Sequence, residues 1–303
     1  MKNLAKIFIT VVAGMLAFSC VTDTTEDQAV QLGSGQTTLS ISLDGTRTHL
    51  GENTGDGYPL YWSAGDKVAV NGYTSAEIAS QYVGTSGAEF TFNTSELGDT
   101  YNLVYPAPAE DVTASATAGQ YPVVFPASQS YNAANPAEVA APMYGYAPAG
   151  ETMTLQHLSG VLRFLIKGNG EVLESIEIRS ESGKIAGIFD VNCADGTLTA
   201  REDAGNTVTV SFGEGLTLGE EAAIVHVAVP SGNYGIFAVI LHTTLDSMVL
   251  SFDSSAKPIN KGRVRVFNEF TYQANADNGG VYIIDSKEDL IRFAKIASRY
   301  SEV

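Results

Sequence analysis

Thr37-Thr-Leu-Ser-Ile-Ser-Leu43 decides the fold class. Leu39, Ile41 and Leu43 alternate with Thr38, Ser40 and Ser42, the two-residue period of a strand with one buried face. Asp44-Gly45 then supplies turn chemistry. The same period recurs along the chain. Phe90 and Phe92 alternate within 89–93, and 103–105 continues the pattern. Leu162, Phe164 and Ile166 alternate with Arg163, Leu165 and Lys167, Ile176 and Ile178 with Ser175, Glu177 and Arg179, and Val208, Val210 and Phe212 with threonine and serine. Residues 223–229 and 236–241 are longer apolar runs, expected of central strands covered by a second sheet, and 248–252 and 264–270 finish the series. Gly168-Asn-Gly170, Asp195-Gly196, Gly213-Glu-Gly215 and Ser231-Gly-Asn233 punctuate it. No stretch before residue 280 carries a sustained 3.6-residue apolar stripe. The chain therefore reads as all-β, built from antiparallel sandwiches.

Tyr61-Trp-Ser-Ala-Gly-Asp-Lys-Val-Ala-Val70 reads as strand, Gly-Asp turn, strand, with the single tryptophan, Trp62, as a core plug. Residues 106–150 change character. They hold seven of the ten prolines, which marks an irregular connector, and the apolar run Tyr121-Pro-Val-Val-Phe-Pro126 belongs at a sheet edge or strand start because proline cannot donate to a ladder. Tyr131, Tyr144 and Tyr146 in this connector are candidates for an aromatic glycan platform; the alternative is a tyrosine-rich loop packed on its own fold. Residues 273–280 are a linker by composition. Beyond them 281–284 reads as a strand, and Leu290, Phe293, Ala294, Ala297 and Tyr300 make one apolar helical face after a capping-box-like start at Ser286. The expected division is 1–19 signal peptide, 20–36 polar tether, 37–150 and 151–272 two sandwiches, and 273–303 a linker with a strand and helix that docks back or opens a further module.

Lys2 and Lys6 followed by the uncharged apolar run 7–18 have the layout of a secretory signal, too short to span a bilayer. Leu16-Ala17-Phe18-Ser19-Cys20 resembles a bacterial lipobox, although Phe18 is bulkier than the small residue common at its position. That resemblance implies cleavage between Ser19 and Cys20 and acylation of Cys20, with several chains giving a stable hold on the membrane. The alternative is an ordinary signal peptide with a chance cysteine. The chain carries 17 Lys and Arg against 34 Asp and Glu, a net −17. Loss of Lys2 and Lys6 leaves 15 against 34, about −19. Such acidity argues against nucleic-acid binding and against electrostatic docking on anionic lipid, but leaves protein and glycan partners open. Cys193 has no partner once Cys20 is acylated, so no disulfide framework is expected, and a buried inert thiol is the expectation.

Catalytic signals are missing. His49, His157, His226 and His242 form no metal-ligand spacing, and neither a phosphate loop nor a Gly-x-Ser-x-Gly elbow occurs. Carboxylates fall mostly at turns and on outward strand positions. No cofactor, no metal and no enzymatic activity are expected.

The lipobox, Thr46-Arg-Thr48, Tyr61–Val70 as quoted, Phe125-Pro-Ala-Ser-Gln-Ser130 and Leu155-Gln-His-Leu-Ser-Gly-Val-Leu-Arg-Phe164 together resemble the fimbrillin-like lipoproteins of Bacteroidetes, over roughly residues 20–272. The resemblance implies two tandem transthyretin-like sandwiches, an outer-membrane lipid anchor and a place on the cell surface. It also implies that, in pilus-forming members, a trypsin-like protease cuts after an arginine, the first strand leaves, and a neighbouring subunit's strand fills the groove. Arg47-Thr48 is the matching bond; an exposed turn arginine is the alternative. The sequence departs from the family where it runs on past Gly280, and 282–294 resembles the opening of a repeat module of surface adhesins. The expected role is non-enzymatic adhesion, as a pilus-associated subunit or adhesin scaffold. Expected partners are outer-membrane lipid through Cys20, other pilus subunits by strand exchange, or a host or bacterial surface protein or glycan. The alternative function is a surface glycan-binding lipoprotein.

Overall fold

The computed structural model describes residues 35–43, 61–133, 141–244, 246–255 and 257–273, with Lys287, Leu290 and Ile291 beyond them. The described chain is nearly all β. Its strands are β1 Thr37–Leu43, β2 Ala69–Val70, β3 Tyr73–Thr74, β4 Gly87–Phe92, β5 Thr100–Tyr105, β6 Gln120–Phe125, β7 Ser128–Ser130, β8 Met143–Pro148 and β9 Met153–His157. There follow β10 Ser159–Lys167, β11 Val172–Ser180, β12 Gly187–Asn192, β13 Thr197–Ala200 and β14 Thr207–Thr217. The last are β15 Ala223–Pro230, β16 Ile236–Thr243, β17 Ser247–Asp253, β18 Val264–Val266 and β19 Phe270–Thr271. The one helical element among the described residues before 274 is a 3-10 turn at Ser80–Tyr82. The C-terminal strand and helix expected over 281–300 lie outside the described residues, apart from Lys287, Leu290 and Ile291, which are helical and exposed.

The N-terminal half is one seven-stranded sheet, ordered β3-β2-β5-β8-β9-β1-β4. β8 and β9 pair at only two positions, Met143–His157 and Tyr144–Gln156. The sheet folds there, so that β1, β4 and β9 face β2, β5 and β8 across one core. Leu39, Ile41, Phe90, Phe92, Met153 and Leu155 meet Val70, Leu103, Tyr105 and Met143 in it. Trp62 lies at its centre, 1% exposed, edge-on to Phe90 at 4.9 Å and to Tyr105 at 5.4 Å. The segment that carries it is not the strand–turn–strand the sequence suggests. Tyr61–Ser63 is irregular, the turn is Ala64–Gly65, and only Ala69–Val70 joins the sheet. The reason is Asp66. Its carboxylate accepts the Ser63 N–H at 2.7 Å and the Tyr105 hydroxyl at 2.9 Å, tying the segment into a loop.

The C-terminal half is a sandwich. A five-stranded sheet, β17-β16-β11-β14-β7, faces β15-β10-β18, with β19 also on β10. Their inner faces interleave Leu162, Phe164, Ile166, Ile176, Ile178, Val225, Val227, Val239 and Leu241. Phe164 stacks on Phe267 at 4.9 Å, between the end of β18 and β19.

A third layer spans the two halves. β6 pairs with β12 from Gly187–Phe125 through Asn192–Gln120, and β13 completes a three-stranded sheet. Val123, Phe125, Phe189 and Val191 of that layer pack on Ala69, Val104 and Tyr144, the outward face of β2, β5 and β8. The proline-rich connector is therefore not irregular: it supplies β6, β7 and β8. Pro122 sits on β6, an edge strand, as the missing N–H requires. Residues 223–229 are not central either, since β15 is an edge strand. That edge is closed by Gln129. Its backbone pairs with β14 at Val210, while its side-chain amide accepts the Ala228 N–H at 3.2 Å and donates to the Ala228 carbonyl at 2.9 Å. One glutamine thus stands in for a strand at an edge that would otherwise invite pairing.

Candidate functional site

The first strand is the feature most open to a functional reading. β1 lies inside its sheet. It pairs antiparallel with β4 over six positions and parallel with β9 over Ile41–Met153, Ser42–Thr154 and Leu43–Leu155. The Ser42 hydroxyl adds contacts to the Thr154 hydroxyl at 3.1 Å and the Met153 carbonyl at 3.3 Å. Leu39, Ile41 and Leu43 are buried and Ser40 is exposed, as the alternation predicts. Arg47 and Thr48 lie outside the described residues, as do Ser19 and Cys20.

The three connector tyrosines are not brought to one surface. Tyr131 packs beside Phe212, ring centres 5.0 Å apart, at the edge of the C-terminal core. Tyr144 is buried in the third-layer core. Its hydroxyl donates to Gln156 Oε1 at 2.9 Å, and Lys261 Nζ lies 5.1 Å from its ring centre while donating to the Gly196 carbonyl at 2.7 Å. Tyr146, two residues on along β8 and on the same face, is 52% exposed.

A cleft that no sequence signal marks lies on the same outward face, at the β3 edge. Residues 108–119 arch over β2, β3 and β5 and enclose ≈520 Å³ with the start of β6. Two anchors hold the arch. The Ala107 N–H donates to the Lys67 carbonyl at 2.9 Å. Arg201, after β13, donates to the Thr113 hydroxyl and carbonyl, each at 2.9 Å. The Asp190 carboxylate fixes that guanidinium by accepting from Nη2 at 2.7 Å and Nε at 3.2 Å, with both side chains mostly shielded. Under the arch, Asn71 takes a positive φ of 51°. It accepts the Asn102 N–H and the Tyr121 hydroxyl on Oδ1 and donates from Nδ2 to Leu97 and Thr100 carbonyls.

Among the described residues no group of three or more His, Cys, Asp and Glu side chains could hold a metal ion. Cys193 is fully buried, donates weakly to the Leu103 carbonyl at 3.6 Å, and has its thiol pushed up to about 12 by burial. Only about one molecule in 10⁴ would carry a thiolate at pH 8. A Cys20→Ala chain, whose one thiol is Cys193, is therefore expected to leave a disulfide reagent such as dithionitrobenzoate unreacted for hours and to react promptly in denaturant; fast native reaction would contradict the burial. Asp66 is raised above the ordinary carboxylate range, chiefly by burial, against the hydrogen bonds from Ser63 and Tyr105. A raised folded value means its contribution to stability is full below the unfolded value, about 3.9, and is lost as the pH rises through the folded value. Asp66→Asn removes the titration. The variant's stability relative to the parent is expected to improve from pH 3.5 to pH 7 in paired urea unfolding curves. A difference independent of pH would refute the assignment.

The fold and these sites define an all-β chain of stacked sheets with an interior first strand and an arched cleft. No protein-family model and no curated sequence matches the chain. Solved structures it is similar to include several from Bacteroides and Parabacteroides species. One is a candidate cell adhesion protein from Bacteroides ovatus, 12% identical with a TM-score of 0.48, covering 78% of this chain and 92% of that one. Another candidate cell adhesion protein, from Bacteroides uniformis, is 12% identical with a TM-score of 0.45 over 80% and 95%. A fimbrial assembly protein from Parabacteroides distasonis is 11% identical with a TM-score of 0.33 over 76% and 90%. At such identities and scores no residue role passes from them to this chain.

Proposed function

We propose that the chain is a non-enzymatic, lipid-anchored protein of the bacterial outer membrane, displayed at the cell surface and serving adhesion as a fimbrillin-like pilus subunit or adhesin scaffold. In this reading its two halves are tandem transthyretin-like sandwiches, and acylated Cys20 holds the tether of residues 20–36 to the membrane. The observation that supports it is the place of β1. Among the described residues it is the first strand in chain order and also an interior one, with β4 on one side and β9 on the other. A single cut after Arg47 would separate it from everything downstream. Its departure would leave two unpaired ladders and an apolar slot lined by Phe90, Phe92, Met153 and Leu155. An extended strand from another subunit satisfies both the ladders and the slot.

The test is limited digestion of the full chain with an arginine-specific protease, followed by mass spectrometry and electrophoresis without boiling. A cut after Arg47 and a heat-sensitive ladder are expected. An intact monomer, or a cut without a ladder, would remove strand exchange and leave a monomeric adhesin. Palmitate labelling of the parent and a Cys20→Ala chain tests the anchor separately.

A further inference from the structure

We propose that the arched cleft over β2, β3 and β5 binds an uncharged sugar residue. At ≈520 Å³ it falls within the roughly 300–1,000 Å³ of small-molecule sites. It is preformed, because the arch is tied at its start, where the Ala107 N–H meets the Lys67 carbonyl, and at its middle, where the Arg201–Asp190 pair holds Thr113, so little ordering cost attends binding. Its chemistry is mixed and almost neutral. Pro108, Val112 and Pro122 are half-buried and give apolar walls over the buried Ala69 and Val104, while Thr74, Glu110 and Gln120 supply hydroxyl, carboxylate and amide groups. A sugar has that same pattern, with C–H faces for the methyl groups and equatorial hydroxyls for the polar rim.

Other ligand classes fit worse. No Lys, Arg or His lines the cleft, and the whole chain is at −17, so phosphates, sulfates and acidic sugars meet no counter-charge. Glu110 is the one carboxylate in the lining, too few for a divalent cation. A peptide would seek a strand to pair with, but β3 at this edge is two residues long. The cleft takes no residue from β1, so it stands or falls independently of strand exchange.

The experiment uses the full chain in a detergent without a sugar headgroup. Saturation-transfer NMR and calorimetry are run with the methyl glycosides of glucose, galactose and mannose, with N-acetylglucosamine, and with glucuronate as the anionic control. At least one neutral sugar is expected to bind saturably, and glucuronate is not. Thr74 is exposed, so Thr74→Phe fills the cleft without touching the core and is expected to abolish binding. Glu110→Ala with Gln120→Ala is expected to weaken it about tenfold, the equivalent of one or two hydrogen bonds. Should Thr74→Phe lower the melting temperature, Ala114→Phe at an exposed position of the arch gives a second steric block. The proposal is overturned if no neutral sugar binds, if glucuronate binds more tightly, or if binding survives both phenylalanine variants. Loss in Tyr146→Ala alone would also overturn it, by moving the contact to the exposed tyrosine.

Discussion

Replacing Ile41 by alanine is expected to cost the N-terminal half about 3 kcal/mol, within the span seen when a large buried aliphatic side chain is truncated to a methyl group. Ile41 is 1% exposed and sits in the middle of an interior strand, between Ala88 on β4 and Met153 on β9. Neither neighbour can follow the lost atoms inward, because each is held in its own ladder. Ser40, one residue earlier, points to solvent, and Ser40→Ala is expected to stay within about 0.5 kcal/mol. Trp62 fluorescence is the measurement, since the only tryptophan reports this core and no other. A urea midpoint that barely moves in Ile41→Ala would show that β1 contributes little to the core. That result would also weaken the argument for strand exchange, which needs a slot worth refilling. The converse has its own readout. A chain beginning after residue 43 should bind anilinonaphthalene sulfonate, and the added peptide Thr-Thr-Leu-Ser-Ile-Ser-Leu should displace the dye.

β1 was legible because one of its faces is polar and the other is not. β10, β11 and β14 were legible for the same reason, and their inward residues Leu162, Phe164, Ile166, Ile176, Ile178, Val208 and Val210 are all buried. The third layer was not legible. β6 pairs with β12, more than sixty residues away, and nothing local to either strand encodes that pairing. The same non-locality carries β9 past the expected boundary at 150, since its ladders run to β8 and to β1. Gln129 shows the limit most directly. Nothing within Phe125-Pro-Ala-Ser-Gln-Ser130 singles out the glutamine, and only the fold reveals its amide closing the edge of β15. The cleft has the same origin. Its floor comes from β2, β3 and β5, and its arch is fixed by an arginine some ninety residues downstream, so no contiguous motif marks it.

The joint between the third layer and the first sheet gives the second large effect. Gly196 has φ +69°, and a Cβ built there would lie 2.3 Å from Tyr144 Cζ. Two separate costs therefore fall on Gly196→Ala. The left-handed backbone costs about 1–2 kcal/mol for any L side chain, and the clash with a ring packed in a core adds about 1–3 kcal/mol. Together they should lower stability by about 3 kcal/mol. A double-mutant cycle separates them. In a Tyr144→Ala background the ring is gone, so Gly196→Ala should cost only the backbone part, leaving a coupling of about 2 kcal/mol between the two sites. Calorimetric or urea unfolding of the four chains supplies the cycle. Coupling near zero would mean that the Asp195-Gly196 turn does not rest on Tyr144. The turn is tied to the arch through the same hairpin, since β13 leads directly to Arg201 and its grip on Thr113. Gly196→Ala should therefore also loosen the cleft in a chain that is still folded below its melting temperature. Faster amide exchange at 108–119 without a matching change in the C-terminal sandwich would place the joint, rather than the arch's own turns, in control of that site's shape.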